Sequence, residues 1–131
     1  CIRDRSYTTH QKFMVYLLIG IGASVGAISR YLVSFILLKT VIFGFPIGTV
    51  IVNLLGCFLI GIFLAINTNN KELMSPLIII GFLGSFTTFS AFTKEIFVFS
   101  NTNGILAAYI LALIISSLCV FSTFMGYKLF S

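Results

Sequence analysis

Four long apolar runs follow one another along the chain, and short polar segments separate them. Each run is long enough to cross the hydrocarbon core of a bilayer as a helix, which takes about 20 residues. A polar tail, residues 1–12, precedes the first run. The predicted spans are residues 13–38, 44–66, 75–99 and 104–130. We therefore predict an all-α integral membrane protein in which residues 1–131 form a single four-helix transmembrane domain.

The composition supports this interpretation. Hydrophobic residues make up 59% of the 131 residues and charged residues only 8%, which excludes an ordinary soluble enzyme and leaves no room for a second domain. Much of the net charge of +5 lies at the ends of apolar runs, where cations meet lipid headgroups, so we do not expect nucleic-acid binding. The three cysteines do not suggest a disulfide framework. Because the first residue is Cys1, we expect a fragment or processed form.

The distribution of Lys and Arg gives only a weak orientation signal. Four spans place both termini on one side, and that side carries five of the cations against two or three on the other. Most of the excess lies in the N-terminal tail, so the chain could insert in both orientations. A single topology with cytoplasmic termini is the alternative. The five cations are Arg3, Arg5, Lys12, Lys71 and Lys128.

Polar residues deep in an apolar span are informative because an unpaired polar group is costly in hydrocarbon. In the second span, Thr49, Asn53 and Cys57 fall on one helix face, with Asn53 near the middle. Its amide either joins two helices or faces a permeating ion. In the fourth span, Tyr109 and Ser116 share a face, although serines there are often satisfied by their own helix.

The third span combines glycines, hydroxyls and phenylalanines near its middle. Gly84 is followed by Ser, Thr and Thr, which favours a break in the helix near mid-membrane, although an unbroken helix with a packing glycine is the alternative. Carbonyls freed by a break could ligate a cation. If the chain inserts both ways and pairs antiparallel, only residues near mid-bilayer, such as Gly84, can meet their own copies.

Four helices are too few to enclose a pore, so any conduit has to lie between subunits. Gly22 and Gly26 supply a surface of small residues for such contacts. Arg30, the single charge of the first span, is expected to snorkel or to cap a helix interface rather than to line a path. Stripes of phenylalanine are most often core or lipid-facing, but ring edges beside hydroxyl and amide donors suit a small anion.

Three segments resemble the signature segments of the Fluc-type fluoride channels, also called CrcB proteins. The resemblance implies a four-helix subunit that inserts in dual topology in the plasma membrane. It also implies an antiparallel homodimer with two pores that passively exports fluoride. The segments are GASVGAISRY at residues 22–31, GTVIVNLLG at residues 48–56 and GFLGSFTTFSAF at residues 81–92.

The resemblance also implies roles for particular residues. A structural sodium ion at the dimer interface would be held by backbone carbonyls of Gly84 and Thr87. Arg30, Gly22 and Gly26 would be structural. A hydroxyl expected midway along the fourth span is replaced by Leu113, which leaves the choice between Ser116 and Ser117 open. The expected fluoride path comprises Asn53, Phe89, Phe92, Thr49, Thr88, Ser90, Tyr109, Ser117 and Glu95.

Two other functions are weighed against the channel. A small dual-topology multidrug exporter that exchanges protons for lipophilic cations needs a carboxylate in the membrane, classically in the first span, and the first two spans contain no Asp or Glu. A non-transporting anchor subunit would leave Asn53 beside Thr49 without a purpose. Neutral donors suit fluoride because they can replace its water without holding the ion too tightly.

Overall fold

The computed structural model describes residues 9–37, 40–42, 44–66 and 74–131, and nearly all of these are helical. Four helical segments are long and apolar enough to cross a membrane, which confirms the predicted all-α, four-span architecture and a multi-pass membrane protein. The first is α1, Thr9–Ile36, and the second is α2, Gly48–Ala65. The third covers Ser75–Asn103, and the fourth, named α5 below, is Ile105–Phe130.

The third span consists of two helices. Its first part, α3, begins as Ser75–Leu83 with π-type hydrogen bonds and ends in one α-helical turn, Gly84–Phe86. Its second part, α4, is Phe89–Asn103. Pro at the start of α3 is tolerated because the first amides of a helix have no partner within it. The third span is therefore broken, as the sequence predicts.

A short hairpin joins the first two spans. Strand β1, Val41–Ile42, pairs antiparallel with strand β2, Phe45–Pro46, and Gly44 takes a positive φ of 81° in the turn between them. The Phe45 ring is buried, and its centroid lies 5.9 Å from that of Phe99 in an edge-on arrangement. The hairpin takes up the first residues of the predicted second span, so α2 begins at Gly48.

Glycines let the spans approach closely in two pairs. A Cβ on Gly26 would overlap the carbonyl oxygen of Phe82, so α1 and α3 meet through their backbones. Gly22 faces α3 in the same way, next to the carbonyl oxygen of Leu77. We expected Gly22 and Gly26 to serve contacts between subunits. The structure instead places them inside one subunit, because the backbone of α3 crosses α1 at these two positions.

The second pair is α2 and α5, which run in the same direction. A Cβ on Gly61 would overlap the carbonyl oxygen of Thr123, and a Cβ on Gly126 would overlap that of Phe58. Large apolar side chains on the outer faces stay exposed, as expected for helices that face lipid or a partner. The two helix pairs meet along α2, whose fully buried Val52 lies one residue before Asn53.

Candidate pore-lining site

The break in the third span lies at Thr87 and Thr88. Both residues have extended backbones, with ψ of 150° and 117°, whereas Gly84 is helical with φ of −63° and ψ of −28°. The break is therefore three residues beyond the glycine from which it was predicted. Threonine supports this position, since the Thr88 hydroxyl accepts a hydrogen bond from the Ala91 N–H at 3.3 Å and caps α4.

Asn53 on α2 satisfies the freed backbone of the break. Its Nδ2 donates to the Thr88 carbonyl oxygen at 3.0 Å, and the Thr88 N–H donates to its Oδ1 at 2.8 Å. The side-chain amide thus pairs with the main chain as a neighbouring strand would. Since an amide NH2 has two hydrogens, one N–H of Asn53 is left over from this pair. The amide joins two helices, and it can also present a donor to an anion.

A cavity of about 260 Å³ opens beside this pair. It brings together four of the predicted path residues, namely the amide of Asn53, the hydroxyl-bearing Thr88 and the two rings of α4, Phe89 and Phe92. Neutral groups line it, so any anion in it would be held by hydrogen-bond donors and ring edges alone. The other lining residues are Cys57, Thr87, Ile115, Ser116 and Cys119.

The two phenylalanines differ in their surroundings. Phe92 is only 5% exposed, whereas Phe89 is 73% exposed. Their ring centroids are 5.9 Å apart and the ring planes are inclined at 48°. The rings are therefore neither stacked nor edge-on to each other. Phe89 projects from the chain at the cavity, where a second molecule could cover it.

Thr49 and Glu95 form a separate polar pair, closer to the hairpin. The buried Thr49 hydroxyl donates to Glu95 Oε1 at 2.6 Å. Among the described residues, Glu95 Oε2 is buried without a hydrogen-bond partner. Glu95 also lines a second cavity of about 190 Å³, together with Lys94 and Pro46. The structure therefore places Thr49 and Glu95 near the cavity of Asn53 along α2 and α4, but outside it.

The fourth-span residues separate into two groups. Ser116 lines the cavity of Asn53, which favours it over Ser117 within one chain. Ser117 donates to the Leu113 carbonyl oxygen at 2.8 Å on an exposed face, and Tyr109 is 68% exposed. Ser116 also lines a second, outer cavity together with Ser117, so of the two serines only Ser116 reaches the cavity of Asn53. The predicted path residues Tyr109 and Ser117 thus lie outside the cavity of a single chain.

The remaining predicted residues lie around the break. Ser90 is exposed, and its hydroxyl lies 3.3 Å from that of Thr88. Gly84 is also exposed, and it belongs to the last turn of α3, whose carbonyls have no partner further along the helix. The Thr87 hydroxyl donates to the Leu83 carbonyl oxygen at 2.9 Å. Carbonyl oxygens of Gly84 and Thr87 thus lie at the broken end of α3.

Arg30 caps the same helix end from α1. Its Nε donates to the Ser85 carbonyl oxygen at 3.1 Å, in the last turn of α3. A cation at the carbonyl end of a helix is favourable because of the helix dipole. Arg30 therefore caps a helix interface, as the sequence indicated, and it is absent from the lining of the cavity that Asn53 lines.

Sequence reasoning missed two kinds of feature. Ile115 and Cys119 line the cavity, but neither was predicted to do so, because both lie within the apolar run of the fourth span. The pairing of Asn53 with the Thr88 backbone was also missed, because it joins residues 35 positions apart. The only signal for this pair was that an amide and a helix break both fall near the middle of their spans.

Comparison with known proteins identifies the family of the chain. Residues 17–127 match the family described as CrcB-like protein, Camphor Resistance (CrcB). The relatives of the chain include proteins named fluoride-specific ion channel FluC, among them two from Shewanella. That of Shewanella halifaxensis (strain HAW-EB4) is 34% identical over 117 residues, and that of Shewanella baltica (strain OS155 / ATCC BAA-1091) is 38% identical over 117 residues. Each match covers 86% of this chain and 93% of the relative. The chain belongs to the CrcB family.

Proposed function

We propose that this chain is the subunit of a fluoride-selective ion channel in the cell membrane and is not an enzyme. The carrying observation is the Asn53 amide, which is fixed against the helix break beside the paired rings of Phe89 and Phe92. It places neutral donors at a cavity in the middle of the span. The names of the relatives support the same ion.

The cavity suits fluoride for a physical reason. Fluoride is small and strongly hydrated, so a selective path has to replace its water with hydrogen-bond donors. The second N–H of Asn53, the hydroxyls of Thr88 and Ser116 and the ring edges are the donors available. Since no cationic side chain lines this cavity in the described chain, the ion meets several weak sites and can leave again.

We further propose that two copies pair antiparallel and complete the path. The cavity is open in a single chain, and Phe89 projects from it with 73% of its surface exposed. Tyr109, Ser117 and Ser90 are exposed as well, so a partner could bring them into the path. A twofold axis in the membrane plane relates residues at mid-bilayer, where the break lies.

A structural sodium ion at the dimer interface is part of this proposal. Sodium is a hard cation that binds oxygen, and the broken end of α3 offers the carbonyl oxygens of Gly84 and Thr87. Gly84 is exposed, so a second copy could add the same carbonyls. The bound ion would offset the carbonyl dipoles and make the local potential more favourable to anions.

Efflux from liposomes tests the channel. Vesicles that contain the purified protein are loaded with potassium fluoride, and valinomycin sets a potassium diffusion potential. We expect fluoride to leave at a rate that a protonophore does not change, because passive conduction needs no coupled proton. A strict requirement for an imposed proton gradient would contradict the channel and favour an exporter.

Labelling tests the dual topology. A cysteine introduced at Lys71, in the polar sequence between the second and third spans, should react with an impermeant maleimide from both faces of the membrane in a cell population. The same chain carries Cys1→Ser, so that the cysteine of the N-terminal tail does not contribute to the labelling. Labelling from one face alone would contradict dual insertion. It would not contradict the channel proposal, which the efflux assay tests separately.

A further inference from the structure

Two thiols lie next to the candidate path. Cys57 lies on α2 and Cys119 on α5, and both are half-buried and free. Each cysteine lies four residues before a point where the two helices touch, Gly61 on α2 and Thr123 on α5. Both side chains also line the cavity that holds the Asn53 amide. The chain thus places two thiols on neighbouring helices at one cavity.

The backbone holds this pair in place. The Ser122 hydroxyl, three residues after Cys119, donates to the Leu54 carbonyl oxygen at 3.0 Å, three residues before Cys57. Gly61, one turn beyond Cys57, lets α2 touch the backbone of α5. These contacts therefore fix the spacing of the two helices next to the pair.

The neighbours of the thiols define which ion they would bind. Within the described chain, no group of three or more His, Cys, Asp or Glu side chains is present that could hold a metal of higher coordination number. The cavity lining offers no carboxylate for a hard cation. Thiolates select soft metals. Two sulfur atoms are enough for ions that accept two-coordinate, linear geometry, such as Hg²⁺, Ag⁺ and Cu⁺.

We propose that Cys57 and Cys119 form a two-thiolate site for a soft d10 metal ion. On binding Hg²⁺, two S–H bonds break, two Hg–S bonds form and two protons pass to the buffer, without oxidation or reduction. The ion lies beside Asn53 and Phe92 in the same cavity. The bound metal ion takes up part of the fluoride path, so it should lower fluoride efflux. This effect on transport rests on the proposed function.

Mercuric nitrate added to the purified protein tests binding. The background variant Cys1→Ser leaves only the two thiols of interest. We expect one mercury per chain, a mass increase of one mercury less two hydrogens, and retention of the metal in excess 2-mercaptoethanol. Cys57→Ser and Cys119→Ser, each with one thiol, should lose the metal to the same competitor. Two mercury atoms per chain, mercury-linked dimers, or equal retention by the single-thiol variants would overturn the site.

Fluoride efflux from liposomes is then measured before and after mercury, relative to the untreated rate of each variant. We expect at least tenfold inhibition in the two-thiol chain, and recovery of its rate after a dithiol chelator removes the metal. If mercury is retained but fluoride efflux is unchanged, the proposed inhibition by the metal is wrong. If mercury is retained but the untreated protein passes no fluoride, the metal site stands and the proposed channel function fails.

Discussion

Replacing Asn53 by Asp changes a donor into an acceptor at the helix break. In the wild type, Nδ2 donates to the Thr88 carbonyl oxygen at 3.0 Å. A carboxylate oxygen in its place cannot donate, so this hydrogen bond, worth about 0.5–1.5 kcal/mol, is lost. The Thr88 N–H keeps its acceptor, because the other oxygen of Asp occupies the position of Oδ1. The break is therefore weakened rather than abolished.

The charge of the new carboxylate acts more strongly than the lost bond. An anion that accepts the remaining N–H of Asn53 lies about 3 Å from Nδ2, and so roughly 4 Å from the centre of a carboxylate that replaces the amide. Two like charges at that separation repel by about 4 kcal/mol at an effective dielectric constant of about 20. Since 1.36 kcal/mol is tenfold, fluoride occupancy should fall roughly 1,000-fold.

The assay is fluoride efflux from liposomes with equal amounts of each variant. Asn101→Asp is the matched control, because it makes the same chemical change at an exposed position near the end of α4. We expect Asn53→Asp to slow efflux by at least 100-fold, and Asn101→Asp to stay within about twofold of wild type. Both should elute as the wild type does in gel filtration. Efflux of Asn53→Asp within about threefold of wild type would refute a path beside this amide.

Two further pairs of variants test the ring and the glycine contacts. Phe89→Ile should lower fluoride efflux by at least tenfold because it removes an aromatic ring from the cavity. The control Phe97→Ile, at an exposed ring of the same helix, should leave efflux unchanged. Equal efflux rates in the two variants would show that Phe89 does not line the path. Gly26→Ala places a Cβ against the Phe82 carbonyl oxygen and should destabilise the fold by about 1–3 kcal/mol, measured as a lower thermal midpoint in detergent. Gly20→Ala, which meets nothing within 4 Å, should match the wild-type midpoint or exceed it, and an equal decrease in both variants would contradict the close contact of α1 with α3.

The four spans could be predicted because hydrophobicity over some 20 residues is a property of the local sequence. Their ends were harder to place. The segment Ser100, Asn101, Thr102 and Asn103 was expected to be a linker, but it forms the last turn of α4. Its polar side chains bond to carbonyls of the preceding turn, as the Ser100 hydroxyl does to Phe97 at 2.7 Å.

The first helix also begins earlier than the predicted first span. The helix α1 begins at Thr9, so the last residues of the predicted polar tail form its first turn. A helix that emerges into the headgroup region can continue through polar residues, which hydropathy alone does not show. Residues 1–8 of that tail lie outside the described residues.

The candidate site shows where local patterns stop being sufficient. A break near the middle of the third span was predictable, but Gly84 marked it three residues early. The position is set by Asn53, which lies 35 residues before Thr88 and pairs with both of its backbone groups. Which of Ser116 and Ser117 faces the cavity likewise depends on how α5 is rotated against α2, and tertiary packing determines that rotation.

Fluoride selectivity is the central claim, and bilayer recording tests it most directly. The purified protein is placed in a planar bilayer with a tenfold gradient of potassium fluoride, and equal chloride is present on both sides. A fluoride-selective path predicts a reversal potential of about 59 mV in magnitude, with the sign of the fluoride gradient. A reversal potential near zero, which equal conduction of chloride and fluoride would give when chloride is the main anion, would contradict the account.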